Sequence, residues 1–522
     1  MRNDTNFSCY TISYRVPKQV FTVKIIELQV SIIRFCRTVL FGNRLYLKTM
    51  KWPKSILFAI SFFLISGLAG CANIFGSADS GASGPGVPPV SQEFLLNCQE
   101  LNFSSLPSDP TTALPSEVEK NYLASYNRFR GLEVERFQLP PGADLPRSLV
   151  EICPDVFLFV NNLGRSYIFD AGNSKTYGFD ELLVSRALID NQEPITEFFN
   201  TPERVDDLGL RDLLIHDSKI IFSSVEFNKE ENCIATTLYN VEIDFLQNTF
   251  SKPKKIFQIE PCLSQIPGQR QEGLLNPSES GGRLQKYLDN SILLTTGPFA
   301  FGYSLISEEF VSTVTPYVEK YIDFEDSLYG AVLRIKNLDN DASAEVFARG
   351  FRNPQGLTVT PFGEIWLSDH GPAGGDELNY IEADKHYGWP FQTYGLPYDV
   401  GNSGKPWEIN QFWSERYELD SEIYEDPVFS WKPSVAPSEV VYYSNPEGEF
   451  KDFYGKLLVS TLRDTSIRIM TIKSGRVVID SPILVNERIR DLAVSSKDGK
   501  IYALTDTSRI LQISASDLTP VS

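Results

Sequence analysis

DLAVSSKDGKIYALTD, residues 491–506, reads as an apolar strand, a polar turn and a second strand that ends on small or hydroxyl residues. The same unit recurs as DLLIHDSKIIFSSVE (212–226) and GLTVTPFGEIWLSDH (356–370). Used as a ruler, the second strand gives six copies: VFLFV (156–160), IIFSS (220–224), ILLTT (292–296), IWLSD (365–369), LLVST (457–461) and IYALT (501–505). Their starts are separated by 64, 72, 73, 92 and 44 residues. Six irregular copies of one hairpin predict an all-β fold, a six-bladed β-propeller with long insertions between strands. A pair of β-sandwiches would not repeat a single hairpin. Propeller blades converge on a central channel, and loops on one rim are expected to build the site.

The chain has 522 residues, 48 basic and 67 acidic, for a net charge of −19, and is 42% hydrophobic. That is a globular composition. The acidic balance argues against nucleic acid, whose phosphates need clustered Lys and Arg. The charge is uneven. Residues 1–49 carry eight basic side chains against two acidic ones, so a +6 leader leaves −25 for the rest.

From Met50 the sequence runs MKWPKSILFAISFFLISGLAGC: two lysines, a short apolar run, then small residues before Cys71. This is the order of a secretory signal, and the run is shorter than the ~20 residues of a spanning helix. Residues 1–49 then lie upstream of a complete signal, as a start assigned too early or an extension acting at a membrane. Residues 50–70 are read as the signal, 71–118 as a tether rich in Gly, Ser and Pro, and 119–522 as the propeller. Leu68-Ala69-Gly70-Cys71 resembles the lipobox of bacterial lipoproteins, which implies a lipid on Cys71. It also implies a membrane anchor, with the protein at the cell envelope, on the periplasmic face of the outer membrane. Cys98, Cys153, Cys233 and Cys262 remain, an even number that suggests two disulfides in an exported protein. Sequence proximity favours Cys98–Cys153 and Cys233–Cys262.

Two stretches carry candidate chemistry. In 350–395, Arg352, Asn353 and Gln355 flank a Pro354 turn, and HGPAGGDE (370–377) offers loop carbonyls with the carboxylates of Asp376 and Glu377. Hard cations such as Ca²⁺ take six to eight oxygens of this kind. In 429–506, Arg463, Arg488 and Arg490 sit beside strands of an acidic chain. Guanidinium groups pair bidentately with carboxylates, so the three arginines suit either a polyanionic ligand or ion pairs with Asp464, Asp491 or Glu487.

The ordered motifs GFRNPQGL, HGPAGGDELN, YGWP, WKPSVAPS, RIRD and DGKIYALTD resemble the glucose/sorbosone dehydrogenase family over about residues 145–515. That family consists of soluble sugar dehydrogenases dependent on pyrroloquinoline quinone (PQQ), built as six-bladed propellers. The resemblance implies cofactor contacts from Arg352, Asn353, Gln355, Ser434, Arg463, Arg488 and Arg490. It implies that the carbonyls of Gly371 and Pro372 hold the Ca²⁺ that polarises the quinone, and that Glu377 and Tyr387 belong to a second, structural calcium site. The implied reaction is oxidation of an aldose sugar at its anomeric carbon, with an unidentified electron acceptor downstream.

The general base of that family is a histidine in a segment reading His-x-(Gly or Ser)-Gly-Arg-Leu. Here the segment is Glu279-Ser280-Gly281-Gly282-Arg283-Leu284, so Glu279 takes the histidine's position. Asp207 stands where the family has Gln. His216, His370 and His386 are the chain's three histidines, and none is placed to substitute. A carboxylate can act as a base, and burial raises its pKa from ~4.3 towards the working range. Three readings follow: a dehydrogenase with Glu279 as base, assisted by Asp207; a propeller that binds a ligand or partner without turnover; and a calcium-dependent lactone hydrolase.

Overall fold

The computed structural model describes residues 130–182, 206–264, 275–299, 327–339, 342–389 and 424–517, with short pieces at 96, 101, 103–106, 115–119, 198 and 392–395. All belong to the compact unit Gly84–Ser522. The leader, the signal, Cys71, Cys98 and most of the tether lie outside the described residues.

Six small sheets form a ring. Their innermost strands are Pro146–Cys153, Gly209–His216, Gly281–Lys286, Pro354–Val359, Pro437–Tyr442 and Ile489–Val494. Each packs against the next, and the sixth packs against the first, which closes a six-bladed β-propeller. All six ruler segments are the second strands of their blades: Val156–Asn161, Lys219–Asn228, Ile292–Thr296, Ile365–Asp369, Leu457–Thr461 and Ile501–Thr505. These strands are buried almost throughout, because neighbouring blades cover both of their faces.

The hairpins close on left-handed turns. Asp217 (φ 48°) and Ser218 (φ 62°) join the first two strands of blade two, and such two-residue turns match the natural strand twist. Apolar clusters fill the spaces between blades. Phe157 of blade one meets Tyr502 of blade six at 4.3 Å between ring centroids. Leu293 and Val332 of blade three pack with Leu357 and Leu367 of blade four.

Blade six is completed from the start of the unit. Arg130–Gln138 pairs antiparallel with Arg509–Asp517, and Pro115–Glu119 pairs outside it. Chain ends that share a sheet lock the ring without a covalent bond. The packed body also begins before residue 119: Leu96 is buried, and its N–H donates to Ile152 O. The expected tether is therefore shortened from its C-terminal side. Cys233 and Cys262 form a disulfide. Cys153 is disulfide-bonded as well, and its expected partner Cys98 is outside the described residues.

Candidate active site

Each innermost strand enters the ring on a similar triplet: Arg147-Ser148-Leu149, Arg211-Asp212-Leu213, Gly282-Arg283-Leu284, Gln355-Gly356-Leu357, Ser438-Glu439-Val440 and Arg490-Asp491-Leu492. The middle residues meet on the axis. Arg283 Nη1 lies 3.0 Å from Asp212 and 3.1 Å from Asp491, and its Nε lies 2.6 Å from Glu439. The same Nε donates to Gln355 O at 3.0 Å. The carboxylates also accept the N–H groups of Leu284, Val440 and Leu492. Gly356 is required here, since a Cβ would stand 2.6 Å from Val440 N. Burial pushes Asp212 up to about 6, partly offset by Arg283. Burial pulls the guanidinium of Arg283 down, but Asp212, Asp491 and Glu439 outweigh it and hold its proton more tightly than usual. One arginine thus binds residues from four other blades.

Above this hub, the turn between blades three and four holds Arg352 and Asn353. Both backbone N–H groups donate to the Asp369 carboxylate, at 2.9 and 2.6 Å. Burial lifts Asp369 to about 7 against those donors and Arg352. Arg352 Nη1 donates to His370 O at 2.8 Å, and its guanidinium lies 5.7 Å from the Trp389 ring centroid. Its Nη2 lies 3.4 Å from Glu279 Oε1. Glu279 ends the 3₁₀ turn Pro277–Glu279, and Gly297 N donates to Ser280 O directly behind it. A Cβ on Gly297 would stand 2.2 Å from Glu279 O, so this strand-end glycine lets the turn approach. Gln355 Nε2 donates to Asn353 Oδ1 at 2.7 Å, which fixes the Asn-Pro-Gln turn.

The structure therefore brings Glu279, Arg352, Asn353 and Gln355 into one group. Asp207 is linked to that group through Arg211, which donates to Asp207 O and to Pro277 O. Ser434 lies in the loop leading into blade five and is held by Asp376, with no contact to that group among the described residues. One oxygen of Asp376 accepts its hydroxyl and the N–H groups of Val435 (2.8 Å) and Ala436 (2.7 Å), while the other accepts Gly371 N at 3.1 Å. Asp376 is a clasp between two loops rather than an open cation ligand. Arg488 and Arg490 both pair with Asp506, not with Asp464, Asp491 or Glu487. Asp464 is engaged by Arg468, Glu487 by Arg136 and Arg509, and Asp491 by Arg283. Arg463 is exposed, with no carboxylate in ion-pair reach among the described residues.

The histidines are accounted for. His370 Nε2 is 2.6 Å from Pro437 O, and burial drives its pKa down to about 4. His386 accepts Gly388 N–H and packs on Tyr424, with its pKa also near 4 through burial. His216 is buried at the turn end of blade two, in the Asp217 hairpin.

The donors fit a hard cation in two places. Among the described residues no donor reaches the carbonyls of Gly371 or Pro372. Their loop is compressed, with Gly375 O 2.3 Å from where a Gly371 Cβ would be. Burial, with Asp369 adding to it, pushes Glu377 up to about 8. Asn379 Nδ2 donates to Glu377 at 3.1 Å, and the buried Asn379 Oδ1 has no hydrogen-bond partner among the described residues. Tyr387 has its hydroxyl occupied, donating to Tyr380 O and accepting Glu382 N–H. Only its backbone carbonyl is left for a cation.

The axial hub escaped the sequence reading. Its signal is a charged residue placed directly before Leu or Val in strands that are otherwise buried.

The description Glucose / Sorbosone dehydrogenase belongs to the family whose profile matches residues 190–512. The chain is similar to the aldose sugar dehydrogenase YliI of Escherichia coli (strain K12), 37% identical over 176 residues, 33% of this chain and 43% of that protein. It is 28% identical over 237 residues to quinoprotein glucose dehydrogenase B of Acinetobacter calcoaceticus, which covers 35% of this chain and 49% of that protein. The matched stretches thus span less than half the length of each relative. In fold it resembles the crystal structure of the soluble aldose sugar dehydrogenase of Escherichia coli, with TM-score 0.52 and 23% identity, over 74% of this chain and 99% of that one.

Proposed function

This chain belongs to the glucose/sorbosone dehydrogenase family, and we propose that it oxidises an aldose sugar at its anomeric carbon with PQQ and calcium bound. The observation that carries the reading is the contact of Glu279 with Arg352, at 3.4 Å, where the family-type Arg-Asn-Pro-Gln turn faces the Glu-Ser-Gly-Gly-Arg-Leu turn. A bound quinone would supply the two-electron acceptor for the hydride leaving the sugar carbon. Arg352, Asn353, Gln355, Ser434, Arg463, Arg488 and Arg490 would hold it. The carbonyls of Gly371 and Pro372 would hold the polarising calcium, and Glu377 with the Tyr387 carbonyl the structural one.

Within this site Glu279 accepts the proton of the anomeric hydroxyl, and the sugar becomes a lactone. Arg352 orients the Glu279 carboxylate and offers positive charge to oxygen that gains negative charge beside it. Trp389 and His370 O hold Arg352 in place. Asp207, whose backbone carbonyl accepts from Arg211 while Arg211 also donates to Pro277 O, would assist Glu279 from beside its turn. The leader pattern supports export and a lipid on Cys71, and the disulfide between Cys233 and Cys262 agrees with an oxidising compartment.

The test is reconstitution with PQQ and Ca²⁺, followed by reduction of an artificial electron acceptor with a panel of aldoses. Turnover supports the reading. Saturable quinone binding with no turnover on any sugar leaves the binding-only propeller, and lactone consumption without quinone leaves the hydrolase.

A further inference from the structure

In blade two a carboxylate rests against the disulfide. Glu231 Oε2 lies 3.4 Å from Cys262 Sγ and 3.7 Å from Cys233 Sγ. The three donor atoms lie within 4.8 Å of one another, and no other set of three His, Cys, Asp or Glu donors gathers so closely among the described residues. Cys233 is buried, Cys262 is half-buried and Glu231 is exposed, so the group opens to solvent on the carboxylate side.

The backbone places these donors without help from the sulfur bond. Asn228 pairs with Cys233 across a short turn, and its Oδ1 accepts the N–H groups of Glu230 and Glu231 at 3.0 and 3.2 Å. Asn232 closes that turn at φ 52°. Beside the two cysteines, Ile234 and Leu263 exchange both backbone hydrogen bonds, at 2.9 and 2.8 Å. Ile259 N donates to Thr236 O, and Tyr329 Oη donates to Pro261 O at 2.6 Å, which pins the segment ahead of Cys262.

Reduction of the bridge by a dithiol delivers two electrons and two protons. Cys233 and Cys262 become thiols, and the dithiol becomes a disulfide. The backbone clasp keeps the two cysteines adjacent, with their Cα atoms near the present 5.7 Å. Two thiolates and a carboxylate are a donor set of Zn²⁺, which binds Cys sulfur at ~2.3 Å and Glu oxygen at ~2.0–2.2 Å in tetrahedral geometry. Those lengths put a tetrahedral S···O edge at ~3.6 Å, and the two edges here are 3.4 and 3.7 Å.

We propose that Cys233, Cys262 and Glu231 form a redox-gated site for a divalent cation of the zinc type. The reduced chain binds one ion through two thiolates and one carboxylate, with water in the fourth position, and the disulfide form does not. Binding releases both thiol protons to solvent. The same two sulfurs close this part of blade two in either state. The inference does not depend on the dehydrogenase reading.

The test is titration of the full chain with Co²⁺, with Ca²⁺ in excess to fill oxygen-only sites, before and after reduction by a phosphine. The reduced protein is expected to take up one Co²⁺ with a thiolate-to-cobalt absorbance band that Zn²⁺ abolishes, and the oxidised protein to show no band. Cys262→Ser should remove the band, whereas Cys153→Ser should keep it, which separates this pair from the thiol freed at Cys153. Glu231→Gln, an exposed change that leaves folding intact, should weaken Co²⁺ at least tenfold. A band of equal strength in the oxidised protein, a band that survives Cys262→Ser, or unchanged affinity in Glu231→Gln overturns the proposal. Loss of the native near-ultraviolet circular dichroism on reduction alone also overturns it, because the clasp must hold without the sulfur bond.

Discussion

Glu279 Oε1 lies 3.4 Å from Arg352 Nη2, across the junction between blades three and four. The two side chains arrive from separate turns, 73 residues apart in sequence. Each turn is fixed by backbone contacts: Glu279 by the approach of Gly297, and Arg352 by Asp369. The pair is therefore a product of the ring and not of local sequence.

Arg283 should be the residue on which the ring's closure depends most. Replacing it with Met removes the counter-charge of Asp212, Glu439 and Asp491, all of which are buried. Removing one partner of a buried ion pair costs about 3–5 kcal/mol. Arg283→Met is expected to lose at least that much in denaturant unfolding, whereas Arg334→Met, which breaks the more exposed pairs with Asp289 and Glu345, should lose about 1 kcal/mol or less. Similar losses for the two variants would contradict the hub.

Asp376 is expected to act on cofactor affinity through geometry. It ties the Gly371 loop to the Ser434 loop with both of its oxygens. Asp376→Ala frees four donors at once, so quinone binding should weaken at least tenfold and the calcium requirement should rise with it. Asp376→Asn keeps one acceptor oxygen and should lie between the two. Unchanged quinone affinity in Asp376→Ala would show that these loops do not shape the cradle.

Much of this was legible beforehand and some was not. The six hairpins could be counted because buried second strands need continuous apolar runs that end in hydroxyl residues, a pattern that survives irregular spacing. The Arg352, Asn353 and Gln355 group could be found because one turn supplies all three residues. The Arg283 hub could not, because its partners Asp212, Glu439 and Asp491 come from three strands that only ring closure brings together. Asp506 was missed as the partner of Arg488 and Arg490 for a similar reason: it follows the neighbouring strand, so the pairing depends on register. The closing strand Arg130–Gln138 carries no mark of its destination, since any amphipathic strand can complete an open edge.

Stability should depend on pH through Glu151, which ties blade one to blade six by accepting Asp155 N–H and Ser496 N–H. Burial raises its carboxyl to about 7, above its unfolded value of 4.5. A raised carboxyl pKa means that the folded state holds the proton more tightly. Its contribution is therefore fully present below about pH 4.5 and is lost as pH rises through about 7. Thermal unfolding of the wild type should show a falling Tm between pH 5.5 and 8, and Glu151→Gln should show a shallower fall. Parallel curves for the two proteins would rule out Glu151 as the titrating group.

The central claim, that Glu279 is the base of a quinone-dependent sugar oxidation, is tested most directly by the absorbance of the quinone-loaded, calcium-loaded protein during a single addition of aldose. The wild type should shift from the oxidised to the reduced quinone spectrum, and Glu279→Gln should bind quinone with similar affinity yet lose at least 99% of the rate of that shift. A wild-type spectrum unchanged by every sugar, or a Glu279→Gln protein that reduces its quinone as fast as the wild type, would contradict the account.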